Sequence, residues 1–493
     1  MGRTWWGRAL RGYALAPVRT VALSAGGAGL ALAVVAVAAA GPWQGGQRVA
    51  ERDRSQGPPA AVRPVRPKIM ALPAPSWQPA GQVLLPAAGA TDAAAPLPTA
   101  AGMAAALGPD LGAPVLGRLT ASVVDVADGQ SLFALNATET QAPASTNKIA
   151  TATAALTLLG PEHRFTTRVV LAGPGRIVLV GGGDPTLTAA PTGGGDPQAS
   201  LATLATRTAA ALRARGTASV RLGYDISLFT GSPLHPIGVN DNIALVQALT
   251  VDEGRIDPDS TEDAPRYADP AATAAADFAG MLRARGVSVQ GAPQQTTAPA
   301  AARAAAPLAQ VQSQPLAEIV ERMLTNSDND IAEALGHQVA LAAGKPATFA
   351  GGAAAVLATL RGLGIRLDGT RLYDSSGLDA EDAVPADVLT QLLVLDASPA
   401  HPELRPIVTG LPVAGFTGTL DPDVEGFDSS SGLGLVRAKT GSLSTVNTLA
   451  GLVVDRDGRL LAFAFMSNAS ADAASARAGL DLLAGRVAAC GCR

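Results

Sequence analysis

Apolar and polar residues alternate in two pairs of short segments that lie far apart in the chain. The first pair, Arg118–Val126 and Leu132–Leu135, flanks Asp128-Gly129, and the second pair, Leu443–Val454 and Leu460–Met466, flanks another turn rich in Asp and Gly. Alternation with a period of two is typical of β-strands, and a short Asp-Gly connection is typical of a hairpin. The pattern therefore predicts one β-hairpin near each end of the regular part of the chain.

Helical patterns accompany these hairpins. A short helix is predicted at Met103–Leu111, before the first hairpin, and Ala/Leu-rich helices are predicted at Lys148–Leu159 and Ala471–Ala489, after the first and second hairpins. Strands and helices at both chain ends favour a single domain whose two halves, residues 106–167 and 306–493, are remote in sequence.

The middle of the chain, residues 168–305, has a different pattern. Helical stretches at Ser200–Arg215 and Ala271–Arg285 are separated by many turn residues, and Pro293–Ala306 is a low-complexity segment of Ala, Pro and Gln. Short strands are predicted at Arg168–Leu171, Arg176–Val180, Val220–Tyr224 and Val287–Gln290. We interpret this region as one or two smaller domains inserted into the first.

The N-terminal 105 residues are predicted to lie outside these domains. Residues 20–41 form an apolar run without charge, and the segment before it, residues 1–19, contains arginines and no acidic residue. A run of this length suits a membrane anchor with residues 1–19 in the cytoplasm. The anchor is the favoured interpretation, and a cleaved signal segment is the alternative, which the Ala/Gly content and the sequence Ala36-Val37-Ala38 support. In both cases the remaining chain is exported, and Pro-rich residues 42–105 form an extended linker.

Composition excludes some functions. The 493 residues are 47% hydrophobic and carry a net charge of −4, which predicts a sizeable core and argues against a nucleic-acid-binding surface.

Cys490 and Cys492 are the only cysteines, and we expect an untethered tail there, with a thiol pair or an intermolecular bridge as the alternative. Glu333 and His337 have helical i,i+4 spacing, but the chain has no H-E-x-x-H motif, so no metal or other cofactor is predicted.

Lysine usage points to the candidate chemistry. The chain contains thirty-three arginines but only four lysines, namely Lys68, Lys148, Lys345 and Lys439. A lysine amine can lose its proton when it is buried or lies near another cation, whereas a guanidinium cannot. Two of the four lysines belong to short motifs in which this difference would matter.

Three motifs carry candidate catalytic residues. Ser145 precedes Lys148 by three positions, so on a helix the amine would reach the serine hydroxyl and act as its base. In Ser327-Asp328-Asn329, Ser327 would relay a proton, and the Asn329 amide would bind Lys148 and a substrate amide. In Lys439-Thr440-Gly441, the first two side chains would bind a substrate carboxylate. Gly441 would permit close backbone approach, and the N–H groups of Ser145 and Ser442 would form an oxyanion hole.

The order and spacing of these motifs resemble the D-Ala-D-Ala carboxypeptidase/endopeptidases among low-molecular-mass class C penicillin-binding proteins. The likeness runs from about Gly102 to the C-terminus and includes other segments: Pro143–Lys148, Gly181–Thr186, Ser376–Leu378, Leu411–Leu420 and Ala438–Ser442. One departure is the acidic stretch after Leu378, where the resemblance leads us to expect basic or neutral residues.

The resemblance implies an α+β fold in which a penicillin-binding, serine β-lactamase-like domain, an antiparallel sheet flanked by helices, is split by a large inserted α/β region. It also implies an exported bacterial serine hydrolase that acts on peptidoglycan stem peptides through an acyl-enzyme on Ser145 and is acylated by β-lactams. Two alternatives stay open. One is a serine β-lactamase, and the other is a non-catalytic cell-wall-binding protein with the same fold.

Overall fold

The computed structural model describes residues 95–191, 198–238, 240–260 and 263–493. The strands are β1 (Arg118–Asp125), β2 (Ser131–Leu135), β3 (Thr140–Gln141), β4 (Thr166–Gly173), β5 (Arg176–Val180), β6 (Ser219–Asp225), β7 (Ser288–Val289), β8 (Gln294–Gln295), β9 (Ala309–Gln312), β10 (Val384–Pro385), β11 (Val436–Leu443), β12 (Val446–Val454) and β13 (Leu460–Asn468). The helices are α1 (Ala100–Leu111), α2 (Asn147–Leu159), α3 (Leu201–Ala214), α4 (Pro270–Ala284), α5 (Ala300–Ala304), α6 (Leu316–Asn326), α7 (Asn329–Ala342), α8 (Phe349–Gly362), α9 (Ala386–Asp396), α10 (Arg405–Gly410) and α11 (Ala473–Ala488).

The main sheet joins the two ends of the chain. Its strand order is β11-β12-β13-β1-β2, and every neighbouring pair is antiparallel. Central pairing places Ala121 opposite Phe465, so the two predicted hairpins share one sheet. The prediction of an α+β fold with an antiparallel sheet, built from segments remote in sequence, is confirmed.

Alternating side chains of this sheet enter two different cores. Phe463 and Phe465 point to the face covered by α1 and α11, whereas Ala462 and Ala464 point to the face covered by α2 and helices α6 to α10. This alternation follows from the period of two along a strand. Small residues on the second face let the helices pack close to the sheet, and that face carries the candidate site.

The second sheet is built from the middle of the chain. Its order is β7-β6-β5-β4-β9, with β8 also paired to β6. The strand pairs β5–β6 and β6–β7 are parallel. Helices α3 and α4 cover it through a separate apolar core that includes Phe278 and Leu212. The sheet extends from Thr166 to Gln312, a few residues beyond both ends of the predicted insert, because β9 pairs with β4. The division into separate domains stays a prediction.

Three expectations at the edges of these elements need correction. Helix α1 begins at Ala100, within the range predicted as linker, because the Thr99 side chain accepts a hydrogen bond from Gly102 N and caps it. The segment 293–306, for which the low-complexity composition predicted no helix or strand, contains β8 and α5.

The C-terminal tail is the third correction. Cys490 and Cys492 form an intramolecular disulfide, and Cys490 is buried in the core beneath α11. The carbonyl oxygen of Cys492 accepts a hydrogen bond of 2.7 Å from Thr99 N. The tail is therefore held against the start of α1 rather than untethered.

A buried ion pair closes the main sheet at one end, and it generates a stability prediction. Arg459 donates from Nε and Nη2 to the two carboxylate oxygens of Asp125, at 2.6 and 2.5 Å. We expect Arg459→Leu to lower the free energy of unfolding by about 3–5 kcal/mol, because it leaves the Asp125 charge buried without its partner. Chemical denaturation followed by circular dichroism measures this change.

The matched control is Arg486→Leu, which removes a pair with Asp110 in which the arginine is 46% exposed. We expect a loss below about 1 kcal/mol for that variant. Equal losses in the two variants would contradict the importance assigned to the buried pair.

Candidate active site

Ser145 lies in a single turn of 3-10 helix that leads directly into α2. The preceding residue, Ala144, has a left-handed backbone with φ of 47°. Lys148 is one turn further along and fully buried, and its Nζ lies 2.7 Å from Ser145 Oγ. The predicted proximity of these two side chains, based on i,i+3 spacing, is therefore present in the structure.

The Lys148 amine has two further partners. Its Nζ lies 2.7 Å from Asn329 Oδ1 and 2.9 Å from the carbonyl oxygen of Ser376. Both of these oxygens can only accept hydrogen bonds, whereas the hydroxyl of Ser145 can donate or accept. A neutral amine has two N–H groups and one lone pair. Once Lys148 is neutral, its N–H groups serve Asn329 and Ser376, and its lone pair is left for the Ser145 hydroxyl proton.

Asn329 is oriented by its second hydrogen bond. Its Nδ2 donates to the carbonyl oxygen of Asn242 at 3.2 Å, which turns Oδ1 toward Lys148. Asn329 begins α7, and the preceding Asp328 caps that helix by accepting from Ile331 N at 2.9 Å. The amide of Asn329 is therefore positioned by the helix start on one side and by the inserted region on the other.

Ser327 ends α6 in a left-handed conformation with φ of 59°. Its side chain is half-buried, and within the described part of the chain its hydroxyl makes no hydrogen bond. A non-glycine residue in this conformation costs conformational energy and is often found at functional sites. Its predicted role as proton relay stays a prediction.

Strand β11 is an edge strand of the main sheet and lies against the turn that carries Ser145. A Cβ atom added to Gly441 would come within 2.2 Å of Thr448 Oγ1 and 2.9 Å of Ser145 N. Thr448 Oγ1 in turn donates to the carbonyl oxygen of Pro143 at 2.7 Å. The expected close backbone approach at Gly441 is therefore observed, and it explains why this position cannot carry a side chain.

The other residues of this motif alternate between the two faces of β11. Lys439 is fully buried and donates to the carbonyl oxygen of Thr440 at 2.8 Å. Thr440 Oγ1 donates to Thr419 Oγ1 at 2.8 Å, and Ser442 is exposed. The structure thus places all eight predicted site residues on segments that meet at the start of α2 or on the adjoining edge strand.

Burial determines the protonation of both lysines. Burial lowers the pKa of Lys148 to about 8, although the charges of Asp374, Asp328 and Glu333 raise it. Burial also lowers the pKa of Lys439 well below its ordinary value, and the charge of Lys148 lowers it further. Burial is therefore the main cause of the lowered pKa at both lysines.

Sequence reasoning did not assign a role to the loop at residues 374–379. Glu333 Oε1 accepts from the N–H groups of Ser375 and Ser376, and Asp374 accepts from those of Gly377 and Asp379. These bonds position the Ser376 carbonyl for Lys148. The only signal in the sequence was the segment Ser376–Leu378, because a backbone carbonyl has no residue type of its own.

The acidic stretch after Leu378 is partly internal. Asp382 is buried, accepts from Tyr373 N at 2.6 Å, and lies 3.4 Å from Asn147 Nδ2. Burial, and next the charge of Asp374, raise the pKa of Asp382 to about 10, so this side chain is neutral near pH 7. The departure from the expected loop sequence therefore adds less surface charge than its composition indicates.

Among the described residues, two groups of side chains have the composition of a metal site. Glu253, Asp328 and Asp330 form one, but Glu253 is paired with Arg255 and Arg322, and Asp330 is paired with Arg266 at 2.9 Å.

The second group consists of His235, Glu333 and Asp374. Three of the four oxygens of its two carboxylates already accept hydrogen bonds from backbone N–H groups. In both groups, most of the carboxylates therefore already have arginine or backbone N–H partners, and neither group has the free ligand atoms that a metal ion needs.

The comparison with protein families decides the classification. The model of the D-Ala-D-Ala carboxypeptidase 3 (S13) family matches residues 103–265 and 259–488. The chain belongs to this family. The predicted family and the predicted D-Ala-D-Ala carboxypeptidase enzyme are confirmed.

Individual S13 relatives support the same assignment. The chain is 37% identical to carboxypeptidase DacB of Mycolicibacterium smegmatis, over 96% of this chain and 98% of the relative. It is 30% identical to the D-alanyl-D-alanine carboxypeptidase of an Actinomadura species, over 70% of this chain and 77% of the relative. Penicillin-binding protein 4 of Haemophilus influenzae shares the fold, with a TM-score of 0.63, 22% identity and coverage of 79% and 98%.

Among the helices that the structure describes, none is long and apolar enough to cross a membrane. The predicted anchor or signal segment, residues 20–41, lies outside the described residues.

The pKa of Lys148 generates a prediction for this S13 enzyme. If neutral Lys148 is the base, the acylation rate constant rises roughly tenfold per pH unit below the pKa of about 8 and levels off above it, because only the deprotonated fraction reacts. Stopped-flow acylation by a fluorescent penicillin measures this profile. A rate constant that is flat or falls as pH rises through this range would contradict the assignment.

Proposed function

We propose that this protein removes the terminal D-alanine from peptidoglycan stem peptides through an acyl-enzyme on Ser145, with neutral Lys148 as the base. The observation that carries the proposal is the set of three partners around Lys148 Nζ, of which only Ser145 Oγ can donate a proton. Family membership supports the reaction, and the geometry around Lys148 supports the roles proposed for the residues.

Acylation begins with transfer of the Ser145 hydroxyl proton to Lys148 as Oγ attacks the carbonyl carbon between the two D-alanines. The resulting oxyanion is bound by the N–H groups of Ser145 and Ser442. When the tetrahedral intermediate collapses, the carbon–nitrogen bond breaks and the leaving amine takes a proton, which passes from Lys148 through the Ser327 hydroxyl. Water then hydrolyses the ester, releases the shortened peptide and returns the proton to Ser145.

Residues of β11 orient the substrate. Lys439 and the Thr440 hydroxyl bind the carboxylate of the terminal D-alanine, and the close packing of Gly441 against Ser145 N keeps this strand at a fixed distance from the nucleophile. The Asn329 amide keeps the lysine in place and lies where a substrate amide can reach it. The reaction needs no cofactor in this scheme.

The proposed setting is the outer side of the cell membrane or the cell wall, where stem peptides occur. Residues 20–41 would deliver the chain there as an anchor or as a cleaved signal, and the Pro-rich linker from residue 42 to the start of α1 would hold the enzyme away from the membrane. β-Lactams would acylate Ser145 in the same way, as the complex of the Haemophilus influenzae protein with a β-lactam suggests by analogy.

The test is release of D-alanine from a synthetic stem pentapeptide. We expect release by the wild type, none by Ser145→Ala, and a loss on the order of 10³-fold or more in Lys148→Arg, since a guanidinium cannot act as a base. Lys345→Arg is the matched control, because it makes the same substitution in the loop after α7. We expect that variant to keep wild-type activity.

The same samples separate the alternatives. Rapid turnover of penicillin without D-alanine release would indicate a β-lactamase, and binding of the peptide without any release would indicate a wall-binding protein. Near-normal activity of Lys148→Arg would contradict the base assignment while leaving the class of enzyme intact. A cross-linked dimeric peptide in a parallel assay reports endopeptidase activity.

A further inference from the structure

His235 belongs to the inserted region but is buried against the catalytic helices. It follows β6 in a loop, is 2% exposed, and its ring packs edge-on against Phe349 with centroids 5.0 Å apart. Its Nε2 lies 3.2 Å from Asp374 Oδ2 and 3.7 Å from Glu333 Oε1. The imidazole therefore faces two carboxylates that are themselves fully buried.

Those two carboxylates hold the loop that faces Lys148. Glu333 Oε1 accepts from Ser375 N at 2.9 Å and from Ser376 N at 2.7 Å. Asp374 Oδ1 accepts from Gly377 N, and its Oδ2 accepts from Asp379 N, both at 2.7 Å. Four hydrogen bonds thus fix the backbone on either side of the Ser376 carbonyl, the group that binds the Lys148 amine.

The ring of His235 places Nε2, rather than Nδ1, beside the carboxylates. Its Nδ1 accepts from Ile237 N at 3.3 Å, which leaves Nε2 as the protonated nitrogen of the neutral ring. Burial lowers the pKa of His235, but Asp374 and Glu333 raise it, to about 9 on balance. Nε2 carries a proton in both states of the ring and lies nearest the carboxylates, without a well-aligned hydrogen bond to either. A protonated ring would lose the Nδ1 acceptor but keep this contact.

The contact has a consequence for the carboxylates. Burial raises the pKa of Asp374, but His235 and the backbone N–H groups outweigh burial and hold it below its ordinary value. Without the imidazole, two buried carboxylates would lie close together, and one of them would take up a proton. A protonated carboxyl group accepts hydrogen bonds less strongly than a carboxylate, so its hydrogen bonds with the backbone N–H groups would weaken.

We propose that His235 is a positioning residue for acylation: through Asp374 and Glu333 it holds the Ser376 carbonyl, and with it the Lys148 amine, in place. The inserted region would then contribute directly to the reaction rather than only flank it. The proposal rests on the proposed role of Lys148 as base.

The test compares two buried histidines in the same aromatic cluster. His337 is 1% exposed and packs edge-on against the same Phe349 at 5.0 Å, but its Nδ1 bonds to the backbone oxygen of Glu333 and not to a carboxylate. His235→Leu and His337→Leu therefore remove similar apolar contacts, and only the first removes the N–H group facing Asp374 and Glu333. His235→Gln is the conservative variant, because its amide nitrogen can take the place of Nε2.

The measurement is the full chain's reaction with a fluorescent penicillin, separated into the dissociation constant of the initial complex and the acylation rate constant. We expect His235→Leu to lower the rate constant on the order of 10- to 100-fold, as expected when a reacting group is slightly misplaced. The dissociation constant should change little, since no group that binds the ligand is altered. His235→Gln should recover most of the acylation rate constant. His337→Leu should change that rate constant less than about threefold, even if its thermal unfolding temperature falls as much as that of His235→Leu.

Several outcomes would overturn the proposal. An unchanged rate constant in a folded His235→Leu protein, or an equal loss in His337→Leu, would reduce His235 to packing. If His235→Leu does not fold, the His235→Gln variant decides. An acylation rate constant of His235→Gln that is no higher than that of an unrelated core variant would also reduce His235 to packing. Stoichiometric zinc in the purified wild type that is lost in His235→Gln would make the cluster a metal site instead. Failure of the wild type to acylate would refute the proposed function, a result distinct from all of these.

Discussion

The burial of one lysine amine among three oxygens is the constraint on which the rest of this site depends. Lys148 is fully buried, and water cannot solvate its charge, so its pKa falls to about 8. Two of its three partners can only accept, and the third is the Ser145 hydroxyl. For a neutral amine, all three contacts are satisfied only when the two N–H groups donate to the two acceptors and the Ser145 hydroxyl donates to the lone pair, which is the contact that proton transfer needs.

The fold supplies these partners from segments that are far apart in sequence. Ser145 and Lys148 come from the start of α2, Asn329 from the start of α7, and the Ser376 carbonyl from a loop held by buried carboxylates. Strand β11 lies along the site because Gly441 lets it approach the turn that carries Ser145. The inserted region takes part as well, since the carbonyl of Asn242 orients the Asn329 amide.

Much of this was accessible from the sequence for physical reasons. Alternating hydrophobicity predicted four of the five strands of the main sheet, and β11 was not among them. The scarcity of lysine pointed to Lys148 and Lys439, and both are buried. The Ser376 carbonyl could not be predicted, because its role depends on a backbone group. The contact between His235 and Asp374 joins residues 139 positions apart and leaves no periodic pattern. The start of α1 depends on one Thr99 cap within a Pro/Ala-rich stretch, and such caps are weak signals amid prolines.

The most direct test of the central claim is the intact mass of the full chain with and without benzylpenicillin, beside the Ser145→Ala variant, followed by peptide mapping. The account predicts one covalent adduct on the wild type, located on Ser145, and none on the variant. An adduct that persists in Ser145→Ala, or a wild type that leaves both its own mass and the penicillin unchanged, would contradict it.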